Sequence, residues 1–468
     1  MKRIAIIGGG ISGLAAAFAL EQSRRAGAAI QYELFESGSR LGGVLRTERV
    51  DGCLVEAGPD SFLSEKTWAA DFCRDLGIGD QLIGSNDSVR KTYILRNGRL
   101  VAVPEGLMFM VPTKILPLVA SPLFSLSTKL RMAGEWFYAA RKSESDESVA
   151  ALVERHYGRE MIDRLVDPLL CGIYGGDASH LSVRVVLPRF AEMEASSGSL
   201  GKGMLAARRR SQGGVPKPLF TTLKDGMQQI SDAIVAKLFP ASLRCGVAVD
   251  AVLPGAEGWT VAARNQELSF DAVIMAVPAQ RAAEILQSTS PDLSSELHGI
   301  KYSSSVTVAL GYGREVRAGL PAGFGFLVPR SEGKRLMAAT FVHNKFDHRT
   351  PEDRALVRCF LGGSQDAPVL DLSEPEIVRL VRDELKQVLG ITAEPWFSRL
   401  YKWREAMAQY DVGHLERLQR IEELRQEFPT LALAGSAYRG IGVPDCIRSG
   451  RAAALQIMGV LGARPVTA

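Results

Sequence analysis

Apolar and small residues dominate the start of the chain. The run Ile4 to Ile7 is followed at once by three glycines and then by an alanine-rich stretch that continues to about Ala26. A short apolar run before a glycine turn predicts a buried strand, and the stretch after the turn predicts a helix. A secretion signal also has a short apolar core, but the glycines argue against that interpretation. A second apolar run, Ile30 to Phe35, predicts the next strand.

The middle of the chain changes its period twice. From about residue 86 to 199 apolar residues recur every three or four positions, which predicts helices at Leu130–Arg141, Val149–Tyr157 and Arg159–Leu170. The glycine-rich, basic stretch Ser196–Pro218 predicts a mobile loop. Residues 304–361 contain several strand-like runs, which predict an antiparallel sheet. The other predicted elements are helices at Met227–Leu238 and Glu374–Leu389 and strands at Leu243–Val252, Trp259–Ala263 and Asp271–Pro278.

The end of the chain repeats the pattern of its start. The segment LALAGSAYRGIGVPDCIRSGRAAALQIMG reads as an apolar strand, a glycine-rich turn and a helix of small residues. We expect this helix to begin near Asp445, with Asp445 as its N-cap, and to point its free amide groups at the place where the N-terminal turn would hold a ligand. A helix terminus of this kind favours negative charge. The alternative is that the turn only closes the domain.

The N-terminal glycines have the spacing of a dinucleotide-binding turn. Gly8, Gly10 and Gly13 form GxGxxG between the predicted strand and helix, and Glu36 follows Gly13 by 23 positions at the end of the next strand. In such a unit the glycines allow a tight turn, close approach of a pyrophosphate and close helix packing, while the acid binds an unphosphorylated ribose. A solvated loop glutamate is the alternative interpretation of Glu36. The order of the elements favours the dinucleotide site.

Composition excludes several classes of protein. The 468 residues are 46% hydrophobic and carry a formal charge of only +4, so a soluble globular protein of about three structural units is expected and nucleic acid is not an expected partner. The six cysteines form no CxxC pair, which is typical of reduced thiols in the cytoplasm. Histidine is scarce, and no metal site is predicted.

One segment is apolar enough to raise the question of a membrane. LMFMVPTKILPLVASPLFSLS, from Leu107 to Ser127, contains three prolines and Lys114, which would interrupt a spanning helix. The segment can still lie against a bilayer or form an apolar channel. We expect it instead to pack in the core of a helical lobe.

Several motifs together resemble a known family. GGGISGLAAAF, Glu36 followed by RLGG, EAGPDSFL, AVP after a strand, and GSAYRGIGVPDCIRSGRAAA are similar to the FAD-dependent amine oxidase superfamily. More closely, the chain resembles the bacterial coproporphyrinogen III and protoporphyrinogen IX oxidases of haem synthesis. PTKILPLVASPLFSLSTKLR, DPLLCGIYGGDASHLS and WREAMAQYDVGH extend the resemblance over nearly the whole chain, and GPDSF, GIYGGD and GIGVPDCI are its specific elements.

The resemblance implies an α/β fold with three parts. A discontinuous Rossmann-like FAD-binding domain would comprise residues 1–85, 222–292 and 403–468. Residues 86–199 would form an inserted helical lobe that can face a membrane or a channel. Residues 200–221 and 293–402 would form a substrate-binding domain built on an antiparallel sheet.

The resemblance also implies non-covalently bound FAD and a set of site residues. The pyrophosphate would lie against Gly8, Gly9, Gly10, Ile11, Ser12 and Gly13, and Glu36 would bind the ribose, with Arg40, Gly42 and Gly43 continuing that wall. Val247 would present its backbone to the adenine. The flavin would be lined by Gly58, Pro59, Asp60, Ser61, Trp403, Gly435, Val443, Pro444 and Asp445.

The implied reaction is the oxygen-dependent, six-electron oxidation of a porphyrinogen to a porphyrin, with release of hydrogen peroxide. No catalytic side chain is assigned, because the flavin carries the redox chemistry. Lys66 would bind a propionate, and the wall of the substrate slot would be a turn that contains Gly172, Ile173, Tyr174 and Gly175.

Several alternatives and partners stay open at this point. An amine oxidase, a carotenoid-desaturase-like flavoenzyme and a non-catalytic FAD-binding protein are the alternatives. The sequence does not choose between coproporphyrinogen III and protoporphyrinogen IX. Oligomeric state, peripheral membrane contact of a cytoplasmic protein, and hand-over of the product to the next enzyme of the haem pathway are equally undecided.

Overall fold

Both ends of the chain contribute strands to one parallel sheet. The computed structural model describes residues 1–141, 145–210 and 217–463. Its five-stranded sheet has the order Leu243–Cys245, Ile30–Glu36, Lys2–Ile7, Ala272–Met275 and Leu431–Leu433, and all neighbours are parallel. The central strand is almost wholly buried, as expected when helices cover both faces of a parallel sheet. The predicted Rossmann-like arrangement is confirmed.

A seven-stranded sheet forms the second layer of the molecule. Its strand order is Phe397–Ala408, Tyr302–Gly313, Arg354–Gly362, Leu336–Phe341, Gly325–Leu327, Thr92–Arg96 and Arg99–Ala102. All pairings are antiparallel except that of Gly325–Leu327 with Thr92–Arg96. The helix Glu374–Leu389 covers one face with Ile377, Val381 and Leu385. Two strands from the range predicted for the helical lobe therefore belong to this sheet.

Smaller sheets and helices fill the space around these two layers. The smaller sheets are Val249–Gly255 with Gly258–Ala263 and Gln266–Phe270, Phe62–Leu63 with Phe220–Leu223 and Leu82–Gly84, Thr47–Val50 with Cys53–Glu56, and Leu107–Met108 with Val111–Pro112. Besides Glu374–Leu389, the α-helices outside the lobe are Ile11–Arg25, Trp68–Asp75, Gln228–Val235, Ala279–Leu286, Pro291–His298, Arg314–Gly319, Val342–Lys345, His414–Arg425 and Val443–Val460. The lobe helices are Ile115–Ala120, Leu126–Gly134, Val149–Tyr157, Arg159–Met161, Asp167–Tyr174, Val183–Val186, Pro188–Ser197 and Leu200–Arg210, with a π-helical turn at Ile162–Val166.

The loop predicted at Ser196–Pro218 is largely wrong. Pro188–Ser197 and Leu200–Arg210 are helices, and residues 211–216 lie outside the described part of the chain. The buried carboxylate of Glu135 caps the second of these helices by accepting hydrogen bonds from the Leu200 amide and the Ser199 hydroxyl. The glycines that suggested a loop instead permit close packing, because a Cβ on Gly203 would lie 2.6 Å from the Cγ of Met193.

Two further predictions from the pattern fail at the ends of elements. The strand predicted at Leu243–Val252 is broken near Gly246, whose φ of +70° suits glycine, into Leu243–Cys245 and Val249–Gly255 in different sheets. The helix predicted at Leu130–Arg141 is shifted to Leu126–Gly134, where the Ser125 hydroxyl caps its first turn. Local turn and cap geometry decided both cases.

The apolar segment after Leu107 faces the core only in part, so the prediction is partly wrong. Leu118, Leu123 and Phe124 are buried, but Ile115, Leu116 and Val119 of the helix Ile115–Ala120 are exposed. Leu126, Leu130 and Phe137 are exposed as well. We call these six exposed side chains the apolar patch: Ile115, Leu116, Val119, Leu126, Leu130 and Phe137. Within the described ranges, no helix is both long and apolar enough to cross a bilayer.

The first and last helices of the chain cross at glycine. A Cβ on Gly450 of the helix Val443–Val460 would lie 2.0 Å from the carbonyl oxygen of Ser12 in the helix Ile11–Arg25. Contact with backbone cannot be relieved by a change of rotamer. The two helices can therefore lie this close only because residue 450 has no side chain.

We expect Gly450→Ala to lower the free energy of unfolding by at least about 1–3 kcal/mol, the usual cost of overpacking. Gly459→Ala is the matched control in the same helix, since a Cβ there meets nothing within 4 Å. Helix propensity alone favours alanine by up to about 1 kcal/mol. Urea unfolding of both variants measures the difference, and equal stabilities would contradict the proposed close contact.

Candidate functional site

The N-terminal glycine turn has the geometry of a phosphate cradle. Gly8 has a φ of +109°, and a Cβ there would lie 2.5 Å from the Ala276 carbonyl oxygen. A Cβ on Gly13 would lie 1.9 Å from the Gly8 carbonyl oxygen, so the helix Ile11–Arg25 packs directly on the turn. Gly10 is the N-cap of this helix and has open space around its Cα, with nothing within 4 Å of a built Cβ. An anion can thus reach the free amide groups of the first turn, which includes Ser12.

Glu36 stands at one side of this cradle, as predicted. Its carboxylate accepts hydrogen bonds from the amides of Gly9 at 2.8 Å and Gly38 at 2.6 Å. The amide of Val247 donates to the Glu36 carbonyl oxygen at 2.8 Å. Oε1 also accepts from the Ser37 hydroxyl at 3.4 Å, whereas Oε2 retains a further lone pair for a hydroxyl donor. The structure therefore brings Glu36, Gly9 and Val247 together at the carboxyl ends of neighbouring strands.

The RLGG loop closes over the N-terminus of the first helix. The Gly42 amide donates to the Gly9 carbonyl oxygen at 2.8 Å, and a Cβ on Gly43 would lie 3.1 Å from the Cα of Gly10. The Arg40 guanidinium holds the loop by donating to the carbonyl oxygens of Leu41, Gly43 and Leu45. Burial, with the nearby charge of Arg46, lowers the pKa of Arg40. Arg40 thus supports the shape of the loop with most of its donors.

The segment Gly58, Pro59, Asp60 and Ser61 continues the same surface. A Cβ on Gly58 would lie 2.1 Å from the Val44 carbonyl oxygen, so this segment packs against the end of the RLGG loop. The indole Nε1 of Trp403 donates to the Ala57 carbonyl oxygen at 2.9 Å. The Thr222 hydroxyl donates to the Asp60 carbonyl oxygen at 2.8 Å. Residues distant in sequence therefore fix this strip of backbone from both sides.

A group of buried cations behind this segment was not predicted from the sequence. We call Lys345, Arg349 and Arg358 the cation clamp. The Lys345 ammonium lies 3.0 Å from both carboxylate oxygens of Asp60, and the Arg349 guanidinium lies 3.1 Å from Glu56. Arg358 donates to the Gly58 carbonyl oxygen and lies 3.8 Å from Asp60. The sequence gives one signal for this group, which is a basic residue, Arg358, within the apolar strand-like run VRCFLG.

Burial and charge act in opposite directions on this group. Burial alone would raise the pKa of Asp60, but the charges of Lys345 and Arg358 outweigh it and hold that pKa well below its usual range. Burial lowers the pKa of Lys345, although Asp60 opposes the shift. Burial raises the pKa of Glu56 despite Arg349. Asp60 is therefore a carboxylate at neutral pH.

The C-terminal turn meets the same region from the opposite side. Gly435, with a φ of +136°, follows the last strand of the parallel sheet, and its amide donates to the Ser449 hydroxyl at 3.1 Å. The helix Val443–Val460 has Gly442 as its N-cap, so the prediction of Asp445 as N-cap is wrong. Pro444 occupies the first turn, where a missing amide proton costs nothing. Asp445 also lies in that turn, and its carboxylate forms an ion pair with the Lys66 ammonium.

The segment predicted as the substrate-slot turn is mostly helical. Gly172, Ile173 and Tyr174 form the last turn of the helix Asp167–Tyr174, and only Gly175, with a φ of 61°, has left the helix. The apolar run DPLLCGIY with Pro168 in the first turn explains the helix. Ile173 is exposed. Burial, with the charge of Asp445, raises the pKa of Tyr174 to about 12, so its phenol stays neutral.

Comparisons with known proteins agree with this geometry. A family model described as flavin containing amine oxidoreductase matches residues 11–458. The coproporphyrinogen III oxidase of Bacillus subtilis is 34% identical over 97% of this chain and 97% of its own. That of Staphylococcus aureus is 30% identical over 98% of this chain and 100% of its own. A crystal structure of an Exiguobacterium sp. 255-15 protein assigned as a protoporphyrinogen oxidase superposes with a TM-score of 0.88 at 27% identity, over 97% and 98% of the two chains.

We expect Gly10→Ala to leave the fold intact and to reduce the flavin content of the purified protein at least tenfold. Gly10 has a φ of −71°, which alanine adopts freely, but the new methyl group would occupy the open space of the cradle. Absorbance of bound flavin and thermal unfolding measure the two effects. Gly134→Ala is the control, since a Cβ there also meets nothing within 4 Å. If Gly10→Ala retains its full flavin content, the phosphates of the cofactor do not lie against Gly10.

Proposed function

Because this chain belongs to the flavin-containing amine oxidoreductases, we propose that its cradle holds FAD and that it oxidises a porphyrinogen to a porphyrin in haem biosynthesis. The observation that carries the proposal is the glycine cradle, joined through the RLGG loop to the segment Gly58–Ser61, in a chain similar over its full length to coproporphyrinogen III oxidases. The amine oxidase and carotenoid desaturase alternatives lack such full-length relatives at 30% identity among the proteins reported above. The enzyme is an oxidoreductase that uses molecular oxygen.

The residues present fit non-covalent FAD. The open space at Gly10 and the helix N-terminus suit a pyrophosphate, and the Glu36 carboxylate suits a ribose. Gly58 to Ser61, Trp403 and the turn from Val443 to Asp445 are the residues that would line the flavin. When bound, the flavin accepts two electrons from the substrate in each of three steps and passes them to oxygen, which is reduced to hydrogen peroxide.

The task of this chain's own residues is to bind, orient and enclose the substrate. The apolar side chain of Ile173 and the neutral ring of Tyr174 suit the wall of a slot for a macrocycle. Gly175 packs against Ser303 and Met407, which fixes the end of that wall. The Ile173 side chain has no ionisable proton, and the Tyr174 phenol stays neutral at neutral pH. Both properties agree with a reaction that is carried by the flavin.

We propose coproporphyrinogen III as the substrate, since the two curated relatives reported above carry that name. Its four carboxylates require cations at the mouth of the slot. Lys66 is the candidate for one of them: its ammonium binds Asp445, its side chain is 37% exposed, and an ammonium has three donors, so it can bind a propionate as well.

The test is oxygen uptake and porphyrin fluorescence of the FAD-loaded protein, given coproporphyrinogen III and protoporphyrinogen IX side by side. We expect faster turnover of the tetracarboxylate and three molecules of oxygen consumed per porphyrin formed. Faster turnover of protoporphyrinogen IX would overturn the choice of substrate. A flavin-loaded protein that oxidises neither compound would favour the non-catalytic FAD-binding alternative.

A second proposal concerns the apolar patch. Its six side chains are between 58% and 86% exposed. Lys114, Lys129 and Arg131 lie on the same stretch of chain as the patch. Apolar side chains flanked by cations suit the surface of an anionic bilayer, into which they would insert without spanning it. Docking of the enzyme that takes up the product is the alternative use of this surface.

We expect the protein to sediment with vesicles that contain anionic phospholipid, and the double variant Leu116→Asp/Val119→Asp to lose at least tenfold in vesicle binding. Each charged side chain would have to enter the interface against its hydration. Leu415→Asp/Val460→Asp, at exposed apolar positions elsewhere, is the control. If the patch variant binds as well as the control, the patch does not contact lipid.

A further inference from the structure

The cation clamp carries more positive charge than the carboxylates that it faces can neutralise. Three cations, Lys345, Arg349 and Arg358, face two carboxylates, Asp60 and Glu56. All five side chains are largely withdrawn from water, with 1% to 16% of each exposed. The group therefore carries one uncompensated positive charge, and protonation of Glu56 would only enlarge the excess.

Neighbouring groups do not cancel this charge. His343, from the same helix as Lys345, has a pKa lowered to about 4 by burial and by Arg317, so its ring is neutral. The other close partners of the clamp are the neutral hydroxyls of Ser61 and Thr222 and the rings of Phe220 and Phe346. The internal cavity beside it, about 10 Å³, has room for one water molecule. Screening by solvent is consequently weak.

The clamp contacts side chains and backbone of the segment that would line the flavin. Lys345 binds Asp60 and Ser61, and Arg358 binds the carbonyl oxygen of Gly58. The Nε of Arg358 is buried and has no hydrogen-bond partner among the described residues. The excess charge thus lies in direct contact with the segment Gly58–Ser61.

We propose that the cation clamp raises the reduction potential of the flavin bound against Gly58–Ser61. This inference rests on the proposed function for the position of the flavin. Reduction adds electrons to the ring, and a buried positive charge close by stabilises the more negative reduced form relative to the oxidised form. Lys345 and Arg358 are positioning and electrostatic residues in this role, since neither is required to touch the substrate.

The test is the two-electron midpoint potential of the bound flavin, measured by reduction against a reference dye without any porphyrinogen. We expect Lys345→Met to weaken the preference for reduced flavin at least tenfold, a shift of about 30 mV to more negative potential. Lys345→Arg, which keeps the charge, should stay within threefold of the wild type. Lys2→Met removes an exposed lysine that pairs with Asp271 and should change nothing.

Two further variants separate charge from structure. The double variant Glu56→Gln/Arg349→Met removes one charge of each sign outside the segment Gly58–Ser61, so the excess is unchanged and the potential should stay within threefold of the wild type. If Lys345→Met fails to fold or to hold flavin, Arg358→Met supplies the same loss of charge without an unpaired partner carboxylate and should show the same negative shift. Unchanged potentials in Lys345→Met and Arg358→Met, or equal shifts in Lys345→Met and the double variant, would overturn the proposal.

Failure of the proposed function looks different. A wild-type protein that binds flavin but oxidises no porphyrinogen contradicts the proposed reaction, yet its flavin potential still tests the clamp. A wild-type protein that binds no flavin contradicts both proposals. If porphyrinogen turnover is normal but the flavin potential does not change when clamp charges are removed, only the inference about Lys345, Arg349 and Arg358 is contradicted.

Discussion

Buried ion pairs join the strand Cys53–Glu56 and the segment that follows it to the seven-stranded sheet and its connections, and the shape of the site depends on them. Glu56 precedes the segment Gly58–Ser61, and Asp60 belongs to it. Their partners Lys345, Arg349 and Arg358 belong to the seven-stranded sheet or its connections. Removing one partner of such a pair leaves a charge without water or counter-charge, at a typical cost of about 3–5 kcal/mol. The clamp therefore holds the segment Gly58–Ser61 against the seven-stranded sheet, at the place where a cofactor and a flat substrate would have to fit.

Small residues provide the second constraint. The crossing of the first and last helices at Gly450, and the contact of Gly13 with Gly8, bring backbone against backbone near the start of the first helix. Both contacts place helix N-termini close to the same edge of the parallel sheet, where open α/β sheets bind their ligands. Close packing and binding thus depend on the same absence of side chains.

The sequence predicted the features that depend on residues close together in the chain. The strand, glycine turn, helix and Glu36 follow from period and spacing, and the structure places them together. The clamp could not be predicted, because Asp60 and Lys345 are 285 positions apart and a charged residue in a strand, such as Arg358, usually faces water. The helix Leu200–Arg210 was missed because its cap, Glu135, comes from a different element. The apolar patch was placed in the core because apolar pattern alone does not say which face finds a partner. The roles of Lys66, Val247 and the other cofactor and substrate residues stay predictions.

The strand order of the parallel sheet has a consequence for how the protein is made. The strand Lys2–Ile7 is flanked by Ile30–Glu36 and Ala272–Met275, and the sheet is completed only by Leu431–Leu433. A chain emerging from the ribosome therefore carries its N-terminal glycine turn, with one side of the adjoining strand unpaired, through synthesis of most of its length. Contacts of such long range form slowly and expose apolar strands in the meantime. The cradle is thus synthesised long before the strand and helix that complete it, and a chain that stops short of these two elements has no closed place for a cofactor.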